Sequence, residues 1–149
     1  MKVAIGADHA GFELKQTILE SFPDIDFVDV GTSSLASCDY PDFAVAVAEL
    51  VSSGEAATGI LICGTGVGMA MAANKVPGIR AACCSETYTA RLTRDHNDAN
   101  VLCIGSRVVG DGVACDLVQV WLATAFGGGE RHRRRLDKLT AIESQGSRP

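Results

Sequence analysis

The segment ILICGTGVGMAMAANK, Ile60 to Lys75, joins three different patterns along the chain. An apolar run predicts a buried strand, a glycine-rich turn follows Cys63, and an alanine-rich run predicts a helix. Glycines let backbone N–H groups approach a ligand closely, and a helix N-terminus adds positive potential. The segment therefore predicts a strand–loop–helix unit whose loop suits an oxyanion or a phosphate. A tight turn that binds nothing would show the same pattern.

The loop does not match two well-known phosphate-binding motifs. Met69 stands where a GxGxxG dinucleotide fingerprint would have its third glycine, and the loop does not lie in the first strand–helix unit of the chain. No Gly-Lys-Ser/Thr sequence follows, so it is not a Walker A loop either.

Strand and helix patterns alternate on both sides of this segment. The apolar runs that predict strands cover residues 2–6, 25–30, 59–63, 78–84 and 100–105. Alternation of this kind implies right-handed crossovers and a mainly parallel sheet covered on both faces. We therefore expect one doubly wound α/β domain over residues 1–149, with a last helix over about 131–143 and a frayed tail over 144–149. Ser85 is the expected N-cap of the helix after the fourth strand.

Composition narrows the functional classes. The chain has 149 residues and a formal net charge of −5, which argues against a broad nucleic-acid surface. No apolar run reaches membrane length and no secretory signal pattern opens the sequence, so we expect a cytoplasmic protein without a membrane partner. The six cysteines form no CxxC pair and no zinc-knuckle spacing. We therefore expect reduced thiols and no metal, with Cys83, Cys84 and Cys103 buried as small hydrophobic residues.

Polar residues cluster near the predicted strand ends. Asp8 and His9 follow the first strand, Cys63 ends the third, and His96 and Asn97 precede the fifth. Ligands of doubly wound sheets bind outside the carboxyl ends of the strands, so we expect these residues to converge on one edge. Taken singly, each has a structural alternative, since an aspartate can form a turn and a histidine can cap a helix.

The role of Cys63 is open on this evidence. A thiol near a helix N-terminus ionises more easily and can act as a base or a nucleophile. Simple packing of a buried cysteine, a metal site and a redox role are the alternatives. A redox role would need a resolving cysteine nearby, and none is adjacent in sequence.

The last helix begins with a basic cluster, ERHRRRLDKL. Arg131 and Arg135 are four residues apart and share a helix face, where two guanidinium groups would make a phosphate clamp. A solvated basic helix start is the alternative. With a net negative chain, a small phosphate is a better partner than a nucleic acid.

Together these motifs resemble a known family. The segments GADHAG, DYPD, ILICGTGVG, AANK, CSE, RDHNDANVL, GSRVVG and RHRRR are similar to those of the ribose-5-phosphate isomerase type B family, in family order over residues 2–142. The wider family includes isomerases of galactose 6-phosphate and allose 6-phosphate. The resemblance implies a Rossmann-like three-layer α/β/α sandwich with a five-stranded parallel sheet. It also implies an aldose–ketose isomerase without cofactor or metal, assembled as a homodimer or tetramer with active sites shared between subunits.

The resemblance also implies residue roles. Cys63 corresponds to the base that moves a proton between C2 and C1, His96 to the ring-opening acid and base, and Thr65 to a helper in ring opening. In another branch of the family a glutamate beyond the loop replaces the cysteine, whereas the AANK motif here offers Asn74 and Lys75. The implied substrate-binding residues are Asp8, His9, Tyr40, Gly64, Gly66, Gly68, Asn97, Arg107, Arg131 and Arg135.

Two other functions fit the same sequence. The sugar could be allose 6-phosphate or galactose 6-phosphate, although an intact cysteine loop favours a self-sufficient homodimer over paired unlike subunits. A non-catalytic phosphosugar-binding module would bind without turnover, and Cys63→Ala would not change its affinity.

Overall fold

Five parallel strands form one sheet in the computed structural model, which describes residues 1–146. The strand order is β2-β1-β3-β5-β4, and all four neighbouring pairs are parallel. In chain order the elements are β1 (Lys2–Ala7), α1 (Phe12–Ser21), β2 (Asp26–Asp29), α2 (Tyr40–Ser52), β3 (Thr58–Cys63), α3 (Val67–Ala73), β4 (Ala81–Cys83), α4 (Thr87–Asp95), β5 (Val101–Gly105), α5 (Asp111–Ala123) and α6 (Glu130–Gly146).

The sheet is covered on both faces. Helices α1, α4 and α5 pack on one face, where Ile18, Leu117 and Trp121 join the core. Helices α2 and α3 cover the other face with Val47 and Met69 among their buried residues. Strands β3 and β5 are buried along their whole length, which explains their continuous apolar sequences. The predicted Rossmann-like three-layer α/β/α sandwich with a five-stranded parallel sheet is confirmed.

Two predicted boundaries around β4 are wrong. The strand covers only Ala81–Cys83, and Gly78 ahead of it has a φ of +82°, which is not extended backbone. The Asn74 side chain accepts from the Ala81 amide at 2.8 Å and donates to its carbonyl at 2.9 Å. The N-cap of α4 is Glu86 and not Ser85. Its carboxylate accepts from two amides of the first turn, Tyr88 N at 2.6 Å and Thr89 N at 2.8 Å, so the longer side chain satisfies two donors that a serine would share.

The last helix is longer than the sequence indicates. Helix α6 extends through Gly146, so residues 144–146 of the expected frayed tail are helical, and residues 147–149 lie outside the described residues. The helix lies against the rest of the chain through few contacts, including a hydrogen bond of 2.9 Å from Gly78 N to the Glu143 carboxylate. Its apolar stripe is open, with Leu139 50% and Ile142 65% exposed. Over residues 1–146, none of the helices combines the length and apolar character needed to span a membrane.

Candidate active site

Cys63 is the last residue of β3 and is held from two sides. Its side chain is 5% exposed, and the Gly66 N–H donates a hydrogen bond to Sγ at 3.1 Å. Its carbonyl accepts from Ser106 N at 2.9 Å and from Ser106 Oγ at 3.2 Å. The thiol therefore has a fixed position at the carboxyl end of the sheet, with a backbone N–H donor directed at its sulfur.

The loop after Cys63 needs glycine at two points. Gly66 has a φ of +77°, and a Cβ there would lie 2.9 Å from the Cys83 Sγ and 2.9 Å from the Ile104 carbonyl carbon. At Gly68 a Cβ would lie 2.8 Å from the Tyr40 ring, so the ring rests directly on the backbone. The predicted pocket-wall residue Tyr40 is thus beside the loop.

The loop also supplies hydrogen-bond donors. In the part of the chain that the structure describes, the amides of Gly64 and Thr65 find no acceptor. The Thr65 hydroxyl accepts a long hydrogen bond of 3.4 Å from Val67 N. An anion beside Cys63 would therefore meet backbone donors that are already in place.

Asp8 and His9 follow β1 at the same edge of the sheet. Asp8 is 6% exposed, and its Oδ1 accepts from the amides of Ala10 and Gly11, each at 3.0 Å. The turn-forming role considered for Asp8 is therefore present, and one carboxylate oxygen is committed to it. The Nδ1 of His9 accepts from Cys38 N at 3.2 Å, which leaves Nε2 as the protonated nitrogen of the neutral ring.

A cleft of about 430 Å³ contains both His9 and Arg107. The Arg107 amide donates to the Gly64 carbonyl at 3.0 Å, and its Nη1 lies 3.3 Å from the point that a Cβ on Gly64 would occupy. The guanidinium therefore lies over the glycine loop. Glu13 and Asp111 also line the cleft. The imidazole of His9 and the guanidinium of Arg107 thus share this cleft with the carboxylates of Glu13 and Asp111.

His96 belongs to a second cluster. It caps the C-terminus of α4, and its Nε2 lies 3.5 Å from the Asp95 carboxylate. Its ring stacks on that of His132 with a centroid distance of 4.3 Å and an interplanar angle of 11°. The Arg131 Nε donates to the His132 Nε2 at 3.2 Å. The candidate ring-opening histidine is therefore joined to the basic start of α6.

Sequence reasoning missed His132. Its pKa is lowered, first by desolvation and then by the nearby charges of His96, Arg131 and Arg135, so the ring stays neutral more readily than a free histidine. The available signal was its position directly after Arg131 in RHRRR, because a histidine within a basic cluster is a candidate ligand for the same anion.

The expected convergence of all site residues on one sheet edge is wrong for a single chain. Helix α4 starts beyond the carboxyl end of β4 and runs back to the amino end of β5. Because the helix has nine residues, His96 at its end lies about 13 Å from its start, measured along the helix axis. Asn97 follows His96 at that opposite edge. The chain therefore has two separate groups of predicted residues. The loop group comprises Asp8, His9, Tyr40, Cys63, Gly64, Thr65, Gly66, Gly68 and Arg107, and the helix group comprises His96, Asn97, Arg131 and Arg135.

Three other thiols lie in β4, directly after it, and in β5. Cys84 and Cys103 are buried as expected, but Cys83 is exposed, because β4 is an edge strand. Burial raises the pKa of Cys84 to about 11, and burial followed by the charge of Cys63 raises that of Cys83. Cys83 donates to the Thr65 carbonyl at 3.5 Å, so it is a neighbour of the loop but a poor thiolate.

Within residues 1–146 there is no group of three or more histidine, cysteine, aspartate or glutamate side chains that could hold a metal ion. The donors of the loop group are instead backbone amides and cationic side chains, and such groups bind anions.

Comparison with known proteins places the chain among sugar-phosphate isomerases. Residues 3–139 match the family described as Ribose/Galactose Isomerase. Ribose-5-phosphate isomerase B of Escherichia coli is 50% identical over 146 residues, covering 97% of this chain and 97% of that protein. The structure of ribose-5-phosphate isomerase B from Clostridium thermocellum is 51% identical with a TM-score of 0.96, over 99% of this chain and 100% of that one. The enzyme from Mycoplasma genitalium, solved with bound ribulose-5-phosphate, is 45% identical with a TM-score of 0.90 over 96% of each chain.

Proposed function

The chain belongs to the ribose/galactose isomerase family, and we propose that it interconverts ribose 5-phosphate and ribulose 5-phosphate. One observation carries this proposal. A buried, hydrogen-bonded thiol stands at the lip of a loop with free backbone donors, which is what proton transfer through an enediolate requires.

The reaction begins by opening the sugar ring. An acid must protonate the ring oxygen while a base removes the proton of the anomeric hydroxyl. Histidine titrates near neutral pH and suits both tasks, so we assign this step to His96, with the Thr65 hydroxyl assisting at the other side. Asp95 and His132 contact the His96 ring and hold it in one orientation.

Isomerisation follows in the open-chain sugar. The Cys63 thiolate takes the C2 hydrogen as a proton, the electron pair of the C2–H bond forms the C1–C2 double bond, and negative charge develops on O1. Amides such as those of Gly64 and Thr65 stabilise this charge, each good donor lowering such a barrier by about 3 kcal/mol. The thiol then returns the proton to C1 while a proton passes from O2 to O1, which leaves a ketone at C2.

Binding of the unreactive phosphate would hold the sugar in line. His9 and Arg107 share one cleft, but Glu13 and Asp111 line it too, so the cleft carries too little positive charge for a dianion by itself. Arg131 and Arg135 of the partner subunit would supply the remaining charge. Asp8, Asn97 and Tyr40 would contact the sugar.

The separation of the two groups supports a homodimer with shared sites, which two such dimers could extend to a tetramer. Each site would combine the loop group of one subunit with the helix group of the other. Exposed apolar side chains offer contact area for such a partner, among them Val67 and Met71 on α3 and Leu139 and Ile142 on α6. We propose no cofactor, no metal, and a cytoplasmic location.

Turnover of ribose 5-phosphate tests the proposal. Wild type, Cys63→Ala and the control Cys115→Ala, which removes a thiol from α5 away from the loop group, are assayed with EDTA present. We expect activity in wild type and control and near-complete loss in Cys63→Ala. An active Cys63→Ala would place the base elsewhere. Turnover of only allose 6-phosphate or galactose 6-phosphate would change the substrate, and binding without any turnover would favour the non-catalytic module.

A further inference from the structure

The residue two positions after His96 has a left-handed backbone conformation. Asp98 has a φ of +43°, and it is the one non-glycine residue with a positive φ among residues 1–146. This left-handed conformation closes the C-terminus of α4, because Asp98 N donates to the Arg94 carbonyl at 3.1 Å and Ala99 N donates to the Thr93 carbonyl at 2.9 Å. The contacts that fix Asp98 therefore also fix the segment that carries His96 and Asn97.

Arg80 adds side-chain contacts to the same segment. Its Nε donates to the Asn97 carbonyl at 3.2 Å and to the Asp98 carbonyl at 2.9 Å, and its Nη2 lies 2.9 Å from the Asp98 carboxylate. Its own backbone is anchored on both sides by Asn100, through a hydrogen bond of 2.8 Å from Arg80 N to Asn100 Oδ1 and one of 3.0 Å from Asn100 N to Arg80 O. The guanidinium thus bridges the start of β4 and the segment after α4.

Arg94 completes the arrangement from the helix side. Its Nη1 donates to the Ala99 carbonyl and lies 3.6 Å from the Asp98 carboxylate. Burial lowers the pKa of Arg94, and the charge of Arg80 lowers it further while Asp98 opposes both. The Asp98 carboxylate therefore lies between two guanidinium groups that repel each other.

We propose that Arg80 is a positioning residue for ring opening, which rests on the proposed function. Its planar fork reaches two carbonyls and a carboxylate at once, and this sets the direction in which His96 and Asn97 project toward the sugar. Lysine carries the same charge but cannot make this set of contacts. Without the fork, the Asn97 and Asp98 carbonyls would lose their shared side-chain donor, and the segment from His96 to Asp98 would be free to shift. Misplacement by about 1 Å can slow a catalysed step by about a hundredfold.

The test separates ring opening from proton transfer. Ribulose 5-phosphate has no furanose form, because the oxygen that would close the ring carries the phosphate. Exchange of its C1 hydrogen with D2O therefore needs Cys63 but not His96. We compare two rates at saturating substrate, conversion of ribose 5-phosphate and C1 exchange in ribulose 5-phosphate followed by proton NMR. The variants are Arg80→Lys and the control Arg91→Lys, which makes the same change on α4, where Arg91 lies over the Tyr88 ring.

Arg80→Lys should slow conversion of ribose 5-phosphate by about ten- to a hundredfold and leave C1 exchange within about twofold of wild type. Arg91→Lys should change neither rate. An unchanged ratio of the two rates in Arg80→Lys, whether both persist or both fall, overturns the inference.

Asp98→Asn is the second variant, since asparagine tolerates positive φ but lacks the charge between the two arginines. It should show the same split between the two rates, and it replaces Arg80→Lys as the test variant if Arg80→Lys does not fold. If Arg80→Lys does not fold, an unchanged ratio of ribose 5-phosphate conversion to C1 exchange in Asp98→Asn likewise overturns the inference. Wild type without either activity would instead refute the proposed function.

Discussion

Replacing Gly66 with alanine should lower both the free energy of unfolding and the rate of turnover. The backbone conformation and close contacts at Gly66 determine the first effect, and the hydrogen bond from its amide to Cys63 determines the second. The φ of +77° costs a non-glycine residue about 1–2 kcal/mol. The new Cβ would also lie 2.9 Å from the Cys83 Sγ and from the backbone of Ile104, and overpacking of that kind costs about 1–3 kcal/mol. Together we expect a loss of about 2–5 kcal/mol in the free energy of unfolding. For a chain of this size that corresponds to a fall in Tm of roughly 5–15 °C.

Gly54 provides a matched control. It has a φ of +80°, but no atom lies within 4 Å of the position that a Cβ would occupy, so Gly54→Ala isolates the backbone cost. Urea denaturation of both variants should show Gly66→Ala as the less stable by about 1–3 kcal/mol. The double variant Gly66→Ala with Cys83→Ala should recover part of that difference, since it removes one of the two close contacts. Equal stability of the two single variants would refute the steric reasoning.

The value of kcat should depend on the hydrogen bond from Gly66 N to the Cys63 Sγ. Because alanine moves that amide, Gly66→Ala should lose about a hundredfold in kcat when assayed well below its Tm. Gly54→Ala, at the end of α2, should keep wild-type kcat. A fully active Gly66→Ala would show that the amide does not support the thiolate.

Two further predictions concern buried groups. The Lys15 side chain is 2% exposed, and its Nζ lies 2.7 Å from the Asp29 carboxylate. Because Asp29 is partly exposed, Lys15→Met should lower the free energy of unfolding, measured by urea denaturation, by only about 1–3 kcal/mol. A loss below about 0.5 kcal/mol would contradict this prediction. Burial raises the pKa of Cys84 in the folded chain to about 11, above its ordinary value. The unfolded chain therefore loses this proton at a lower pH than the folded chain does. The free energy of unfolding should consequently fall as pH rises from about 9 to about 11. Cys84→Ala should flatten the fall in the free energy of unfolding over that range, and an equally steep fall in this variant would show that another group is responsible.

Much of the architecture could be predicted because it depends on local patterns. Continuous apolar runs identify buried parallel strands, and alternation with helices restricts the topology to a doubly wound sheet. The strand order and the short β4 could not be read in the same way, because they depend on distant contacts. The start of β4, for example, is held by Asn100, whose Oδ1 accepts from Arg80 N at 2.8 Å across twenty residues of sequence.

The site was predictable in part for the same reason. Cys63, its loop and Asp8 lie at strand ends, where a sequence pattern suffices. His96 was placed at the wrong edge because its position depends on the direction in which α4 runs, and a residue that precedes a parallel strand lies at the amino end of the sheet. The stacking of His132 on His96 joins two helices that are far apart in sequence, and no local pattern reports it.

The most direct test of shared sites uses a heterodimer of two inactive subunits. Cys63→Ala and His96→Ala chains are co-expressed with different tags and the mixed dimer is purified through both. If each site takes Cys63 from one subunit and His96 from the other, one site carries both changes and the other carries neither. Each homodimer should then be nearly inactive, and the heterodimer should convert ribose 5-phosphate at about half the wild-type rate. A heterodimer as inactive as its parents would contradict shared sites, because it would show that both residues act within one chain.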